Sequence, residues 1–140
     1  MTTPQSLPEL DYAFLAEYAR AEGNSLTAVG ASFTQLNVLG LPTNFHLHIA
    51  GRIRAAEDGE VFPLRLRIGA EDASERIHLE TSLDPAQGIH PYRGRVGIIF
   101  AVGIPMTLED EGRHQVDILI GDELVRSLYF SVNESSGHPG

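Results

Sequence analysis

His46 and His48 stand two residues apart, and four arginines follow at the same spacing, as Arg52 and Arg54 and then Arg65 and Arg67. Residues i and i+2 of a strand project from one face, so the two imidazoles could share a metal ion. Arginines on one face would instead present planar forks of donors, suited to carboxylate or phosphate. Which chemistry is available depends on the elements that carry these side chains.

From Phe45 to Arg54, the residues Phe45, Leu47, Ile49, Gly51 and Ile53 alternate with His46, His48, Ala50, Arg52 and Arg54. That period of two predicts a strand with one buried face. Phe62, Leu64, Leu66 and Ile68 repeat the pattern against Pro63, Arg65, Arg67 and Gly69. Between them lies Glu57-Asp58-Gly59-Glu60, and Asp-Gly favours a two-residue hairpin turn. Pairing across it sets Ile53 opposite Leu64, Gly51 opposite Leu66, Ile49 opposite Ile68, and Arg52 opposite Arg65. The expected product is an arginine face of Arg52, Arg54, Arg65 and Arg67, with His46 and His48 at its margin. Like charges so placed repel, so Glu80 or Asp117 from neighbouring strands is expected to interleave. Failing that, the face receives an anion, an acidic protein surface or a carboxylate ligand.

Gly40 through His48 matches the Gly-x5-His-x-His spacing that opens the metal motif of cupins, a resemblance that implies a small metalloprotein. The glutamate expected next is replaced by Arg52 or Ile53, and an arginine repels a cation. The metal reading, with His78 or His114 as third ligand, therefore ranks second to two solvated histidines.

The remaining strands are predicted at Arg76–Glu80, Arg95–Gly103, His114–Ile120 and Leu124–Val132, the last two joined by a tight turn at Gly121-Asp122. Ser25 to Leu36 reads as one strand bent near Gly30, or as two. Residues 7–22 are ambiguous. Ser6 and Glu9 have capping-box spacing and Phe14, Leu15, Tyr18 and Ala19 share a helical face, but a strand turning at Glu22-Gly23-Asn24 is the alternative. Val96 to Met106 carries no polar side chain; its eleven residues are too few to span a bilayer. Such a run is either a central strand covered outside by the N-terminal segment or a homodimer interface.

Composition excludes several classes. Among 140 residues there are 10 Lys+Arg, all arginine, against 19 Asp+Glu, a formal charge of −9 that argues against nucleic-acid binding. Zero cysteine excludes disulfides, thiolate metal sites and cysteine nucleophiles. No Gly-x-Ser-x-Gly elbow, phosphate-binding lysine or dinucleotide glycine motif is present. The expectation is a non-enzymatic binding or structural module without a cofactor, in the cytoplasm. Its domain would run over 11–132, between flexible segments 1–10 and 133–140.

The run YAFLAEYARAEGNSLTAVGASFTQL, the alternating strands after it and the closing GRHQVDILIGDELVRSLYFSV resemble a family of short bacterial β-sandwich proteins of unknown function. There the pattern at Ala16–Ala19, Gly23–Leu26 and Gly30 opens the domain as two paired strands, which implies strand for the ambiguous segment. A second resemblance is to immunoglobulin-like Greek-key sandwiches, with His114 where Gly-x-Tyr would make a tyrosine corner. Together they imply an all-β, antiparallel, immunoglobulin-like β-sandwich of seven to nine strands, with a small β-barrel or jelly roll as the alternative.

Overall fold

Apolar residues recurring at every second position can be buried only by strands laid face to face, and two sheets do this here. The computed structural model describes residues 7–23 and 25–135. Its strands are β1 (Glu9–Ala16), β2 (Tyr18–Glu22), β3 (Ser25–Val29), β4 (Gln35–Val38), β5 (Thr43–Ala56), β6 (Phe62–Ala70), β7 (Ile77–Leu83), β8 (Ile89–Tyr92), β9 (Arg95–Leu108), β10 (Gly112–Ile120) and β11 (Glu123–Glu134). One sheet has the order β1-β5-β9-β8 and the other β4-β11-β10-β6-β7. Only β4 runs parallel to its neighbour. Nine strands thus build the sandwich, and β2 and β3 form a separate ribbon.

The core lies between the sheets. Leu47, Ile49 and Ile53 of β5 and Ile98, Phe100 and Ile104 of β9 meet Leu64, Leu66, Ile68, Val116, Ile118, Phe130 and Val132 from the other sheet. Residues 7–22, left open between helix and strand, are extended: β1 pairs with β5, and β2 pairs with β3 around Gly23, whose φ is 59°. Ser25 to Leu36 resolves into two strands broken at Gly30 (φ 62°). Glycine suits this left-handed position, and the Glu17 carboxylate lies over it where a Cβ would be.

The β2–β3 ribbon packs on the outer face of β5 and β9, where Ala16, Ala19 and Ala50 are buried against Leu26, Ala28 and Ala101. This is the cover that the apolar run asked for. It reaches only the first half of β9, since Gly103, Pro105 and Thr107 are exposed.

The hairpin expected at Asp58-Gly59 does not form. The segments on either side are strands, but β5 pairs with β1 and β9 while β6 pairs with β10 and β7. They lie in opposite sheets. The type I′ turn needs positive φ at both central residues, and neither Asp58 nor Gly59 has it. Instead Gly59 N–H donates to Ala56 O (2.9 Å) and Glu57 N–H to Gly94 O (2.8 Å), and residues 57–61 cross from one sheet to the other. Apolar alternation is satisfied equally well by strands paired in one sheet and by strands facing each other across a core. The other expected turn is correct: Gly121 (φ 63°) and Asp122 join Ile120 to Glu123.

Strand structure also extends past the expected domain limits, since β1 begins at Glu9 and β11 ends at Glu134. The flexibility expected of residues 1–6 and 136–140 lies outside the described residues. Among the described residues no helix is long and apolar enough to cross a membrane.

Candidate functional site on the outer face of the five-stranded sheet

Because β5 and β6 belong to different sheets, the expected arginine face is divided between opposite sides of the sandwich. Arg52 and Arg54 lie on the outside of the four-stranded sheet. Arg52 is registered against Ile99 of β9 and Tyr12 of β1, not against Arg65. Its guanidinium lies over Gly97, where a Cβ would come within 2.6 Å of Nε, and Asp11 approaches at 3.6 Å. No carboxylate among the described residues lies within 4.0 Å of Arg54.

Arg65 and Arg67 point outward from β6 on the other sheet, beside Leu119 and Asp117 of β10 and Glu80 and His78 of β7. The acids interleave here, as expected. Arg65 Nε donates to Glu80 Oε1 (2.7 Å) and its Nη1 to the Gly121 carbonyl (2.9 Å). Asp122 takes a further bond from the same nitrogen. Hydrogen bonds to Glu80 and Asp122 hold the Arg65 pKa above its ordinary value. Three of the five Arg65 donors are taken, and two carboxylates balance its charge.

Arg67 is different. Asp117, 6% exposed, is the hub of this face. Its Oδ1 accepts from Gln115 Nε2 and Ser127 Oγ, both at 2.7 Å. Its Oδ2 faces two arginines, Arg76 at 3.5 Å and Arg67 at 3.7 Å. Both distances are ion-pair contacts, too long for good hydrogen bonds. Burial pushes the Asp117 carboxyl up, but the bonds from Gln115 and Ser127 and the charges of Arg67 and Arg76 outweigh it, leaving the pKa below its usual value. One carboxylate therefore serves two guanidiniums. Arg76 makes a further bond to the Glu71 carbonyl (3.1 Å), whereas among the described residues Arg67 has no hydrogen-bond partner, and its buried Nε has none. The Arg67 side chain is 39% exposed and lines a groove of about 390 Å³ with Arg65, His78, Leu79, Glu80 and Leu119.

Sequence reasoning named Arg67 and Asp117 here but not Arg76, Gln115 or Ser127. The alternation Gln115-x-Asp117 gave a signal for one of these; the other two arrive from β11 and from the turn before β7, which only the register brings together.

The histidines are also divided. His46 and His48 stack on β5, centroids 4.8 Å apart and planes 13° from parallel, with Tyr18 tilted against His48 at 5.3 Å. Both Nε2 atoms lie over Gly103, close enough that a Cβ there would stand 2.8 to 3.0 Å away. Parallel rings direct their lone pairs side by side, a poor start for convergent ligation. Neither proposed third ligand joins them: His78 is on the far sheet, and His114 is buried at 5.1 Å from the Phe130 ring with Nδ1 3.2 Å from Gly112 O. Among the described residues no three metal-ligating side chains cluster. The three-histidine arrangement is thus corrected, since His78 and His114 belong to the five-stranded sheet and His46 and His48 to the other. His114 instead makes a short contact back to the backbone where a tyrosine corner would.

These features define a two-sheet β-sandwich with an arginine-and-carboxylate network on one outer face. The chain belongs to the family of unknown function DUF6941, matched over residues 11–133. No curated protein matches. Among solved structures, an immunoglobulin-like protein from Pseudomonas aeruginosa is 14% identical, with 94% of this chain and 100% of that one covered at a TM-score of 0.46. A β-glucosidase from Listeria innocua in complex with glucose is 13% identical over 72% of this chain, with a TM-score of 0.44. The alkylpurine DNA glycosylase of Pseudomonas fluorescens, bound to DNA containing an abasic site analog, is 9% identical over 90% of this chain, with a TM-score of 0.43. The chain spans 15% of the glucosidase chain and 30% of the glycosylase chain.

Proposed function

We propose that this protein is a non-enzymatic binding module of the cytoplasm that takes a single carboxylate of an acidic protein partner at Arg67, with Arg76 behind it. One observation carries the reading. Two guanidiniums face one oxygen of Asp117 at 3.5 and 3.7 Å, and among the described residues Arg67 has no hydrogen-bond partner. A guanidinium carries five donors in a fixed fork, and a carboxylate can accept two of them in parallel. An incoming carboxylate would balance the second guanidinium and use the outer Nη donors of the 39% exposed Arg67 side chain, since Nε is buried.

The surroundings favour a lone carboxylate over a more highly charged group. Glu80 and Asp122 flank the groove and would repel a dianion, while Leu79 and Leu119 offer apolar contact to the carbon chain that carries the carboxylate. His78, opposite Arg67 in the β6–β7 register, lines the same groove and adds a donor.

The test is arginine side-chain NMR during titration with N-acetyl-glutamate amide. Saturable shifts of the Arg67 and Arg76 Nε–H signals, abolished in Arg67→Gln, are expected. Shifts that are absent at millimolar probe, or that persist unchanged in Arg67→Gln, would overturn the assignment.

A further inference from the structure

Strands β9 and β10 belong to different sheets, so the turn between them crosses the end of the sandwich. Beside that turn lies a cavity of about 520 Å³. Ile68, Met106 and His114, all buried, form its inner wall, and Ile77 of β7 adds a further apolar side. A concavity of this size, with apolar walls and a few polar groups, has the build of a small-molecule site. It shares no lining residue with the groove at Arg67.

His114 supplies the polar group of the inner wall. It is only 5% exposed, and its ring is stacked on Phe130 at 5.1 Å. Its Nδ1 lies 3.2 Å from the Gly112 carbonyl oxygen. A carbonyl only accepts, so Nδ1 carries the hydrogen and Nε2 of the neutral ring keeps its lone pair. Nε2 has no hydrogen-bond partner among the described residues. A buried acceptor left without a donor costs free energy, and a ligand that donates to it recovers that cost.

Charge then selects the ligand. Glu75, Glu109 and Asp110 stand exposed at the mouth, and among the described residues none of these carboxylates has an ion pair or a hydrogen bond. The one guanidinium on the wall, that of Arg76, faces Asp117 and bonds to the Glu71 carbonyl. Such a mouth draws in cations and repels anions. A metal ion does not suit it, because among the described residues no three of these ligating groups come close enough together to hold one. An organic cation can span them. We propose that the cavity binds a small primary amine in its ammonium form. Its apolar chain packs on Ile68, Ile77 and Met106, one N–H donates to His114 Nε2, and its charge faces Glu109 and Asp110. The lone pair calls for a donor, the carboxylates call for a positive charge, and the apolar wall calls for a carbon chain; a primary ammonium on a hydrocarbon meets all three.

The test is an NMR titration at pH 7 with n-hexylamine, following the Met106 methyl and the His114 ring signals. Saturable shifts of both are expected. Hexanoate has a similar chain and the opposite charge, and should shift neither. Hexyltrimethylammonium keeps the charge but has no N–H, and should bind about tenfold more weakly, the effect of one lost hydrogen bond to a charged group. His114→Phe keeps a ring against Phe130 and removes the acceptor, so hexylamine should weaken by about the same factor. The double variant Glu109→Gln, Asp110→Asn alters exposed side chains only and should weaken hexylamine severalfold and reduce the salt dependence of binding. If circular dichroism shows that His114→Phe does not fold, the three ligands on the unmodified chain and the double variant decide. No saturable shift with hexylamine overturns the proposal. So does hexanoate or hexyltrimethylammonium binding as tightly as hexylamine, or unchanged binding in the double variant.

Discussion

Replacing Asp117 by asparagine removes one charge and keeps the shape of the side chain, so it isolates what the carboxylate contributes. In the native protein Gln115 Nε2 and Ser127 Oγ donate to Oδ1 at 2.7 Å, and both bonds are charge-assisted. Asparagine can still accept both through its amide oxygen. Each bond then falls from about 1.5–3 kcal/mol to about 0.5–1.5 kcal/mol, a loss near 1 kcal/mol apiece. The other end changes from an acceptor into a donor that faces Arg67 and Arg76. Those contacts are long and Arg67 is 39% exposed, so solvent screening limits this part to about 0.5–1 kcal/mol. Asp117→Asn should therefore cost about 2.5–3 kcal/mol, which for a chain of this size lowers the Tm by roughly 8–10 °C.

Urea denaturation followed by circular dichroism at pH 7 measures this cost, and a pH series tests its origin. The folded carboxyl titrates below its ordinary value. Its contribution is therefore fully present above the unfolded pKa, near 3.9, and is lost as pH falls through the folded value. The gap between native and Asp117→Asn stability should hold from pH 7 to about pH 4 and close below it. With two guanidiniums released, the variant should also bind the acidic probe more tightly. A variant as stable as the parent at pH 7, or a gap that widens on acidification, would refute the account of this network.

Gly51→Ala sets a Cβ 2.3 Å from the Tyr12 carbonyl and 2.9 Å from Phe100, so β1 must shift; a loss of about 3 kcal/mol in urea denaturation is expected. Gly103→Ala presses on His48 Nε2 and His46 Nε2, which are the ends of side chains, so the imidazoles should yield at a cost of about 1 kcal/mol. Their ring-proton NMR shifts should move while the β9 amides stay in place. Phe130→Ala, emptying the site where Phe33 and His114 pack, should cost about 3–5 kcal/mol by thermal melting. Gly121→Ala places a side chain at φ 63° in the β10–β11 turn and should cost about 1 kcal/mol on the same assay.

The sequence by itself determined most strands of the sandwich and which side of each is oily, because alternation is written locally, whereas residues 7–22 read as helix or strand and β8 is not read at all. Leu47, Ile49 and Ile53 read as buried and are buried, and Gly121-Asp122 read as a tight turn and is one. Glycine in that loop meets a conformational requirement that stays the same whatever the rest of the chain does. The family pattern around Gly23 and Gly30 likewise concerns local geometry, and β2 pairs with β3 there.

Partnership between strands not joined by a tight turn was decided by tertiary structure alone. The segments flanking Asp58-Gly59 have patterns equally compatible with lying side by side or facing each other across a core, and the second arrangement prevails. That choice parts Arg52 from Arg65, carries His78 and His114 away from His46 and His48, and gathers Arg67, Arg76, Gln115 and Ser127 around Asp117. A strand's pleat settles which way its side chains point, but their neighbours come from other strands tens of residues away. Pairing those strands is a competition among whole-sheet arrangements, and no short stretch of sequence encodes its outcome.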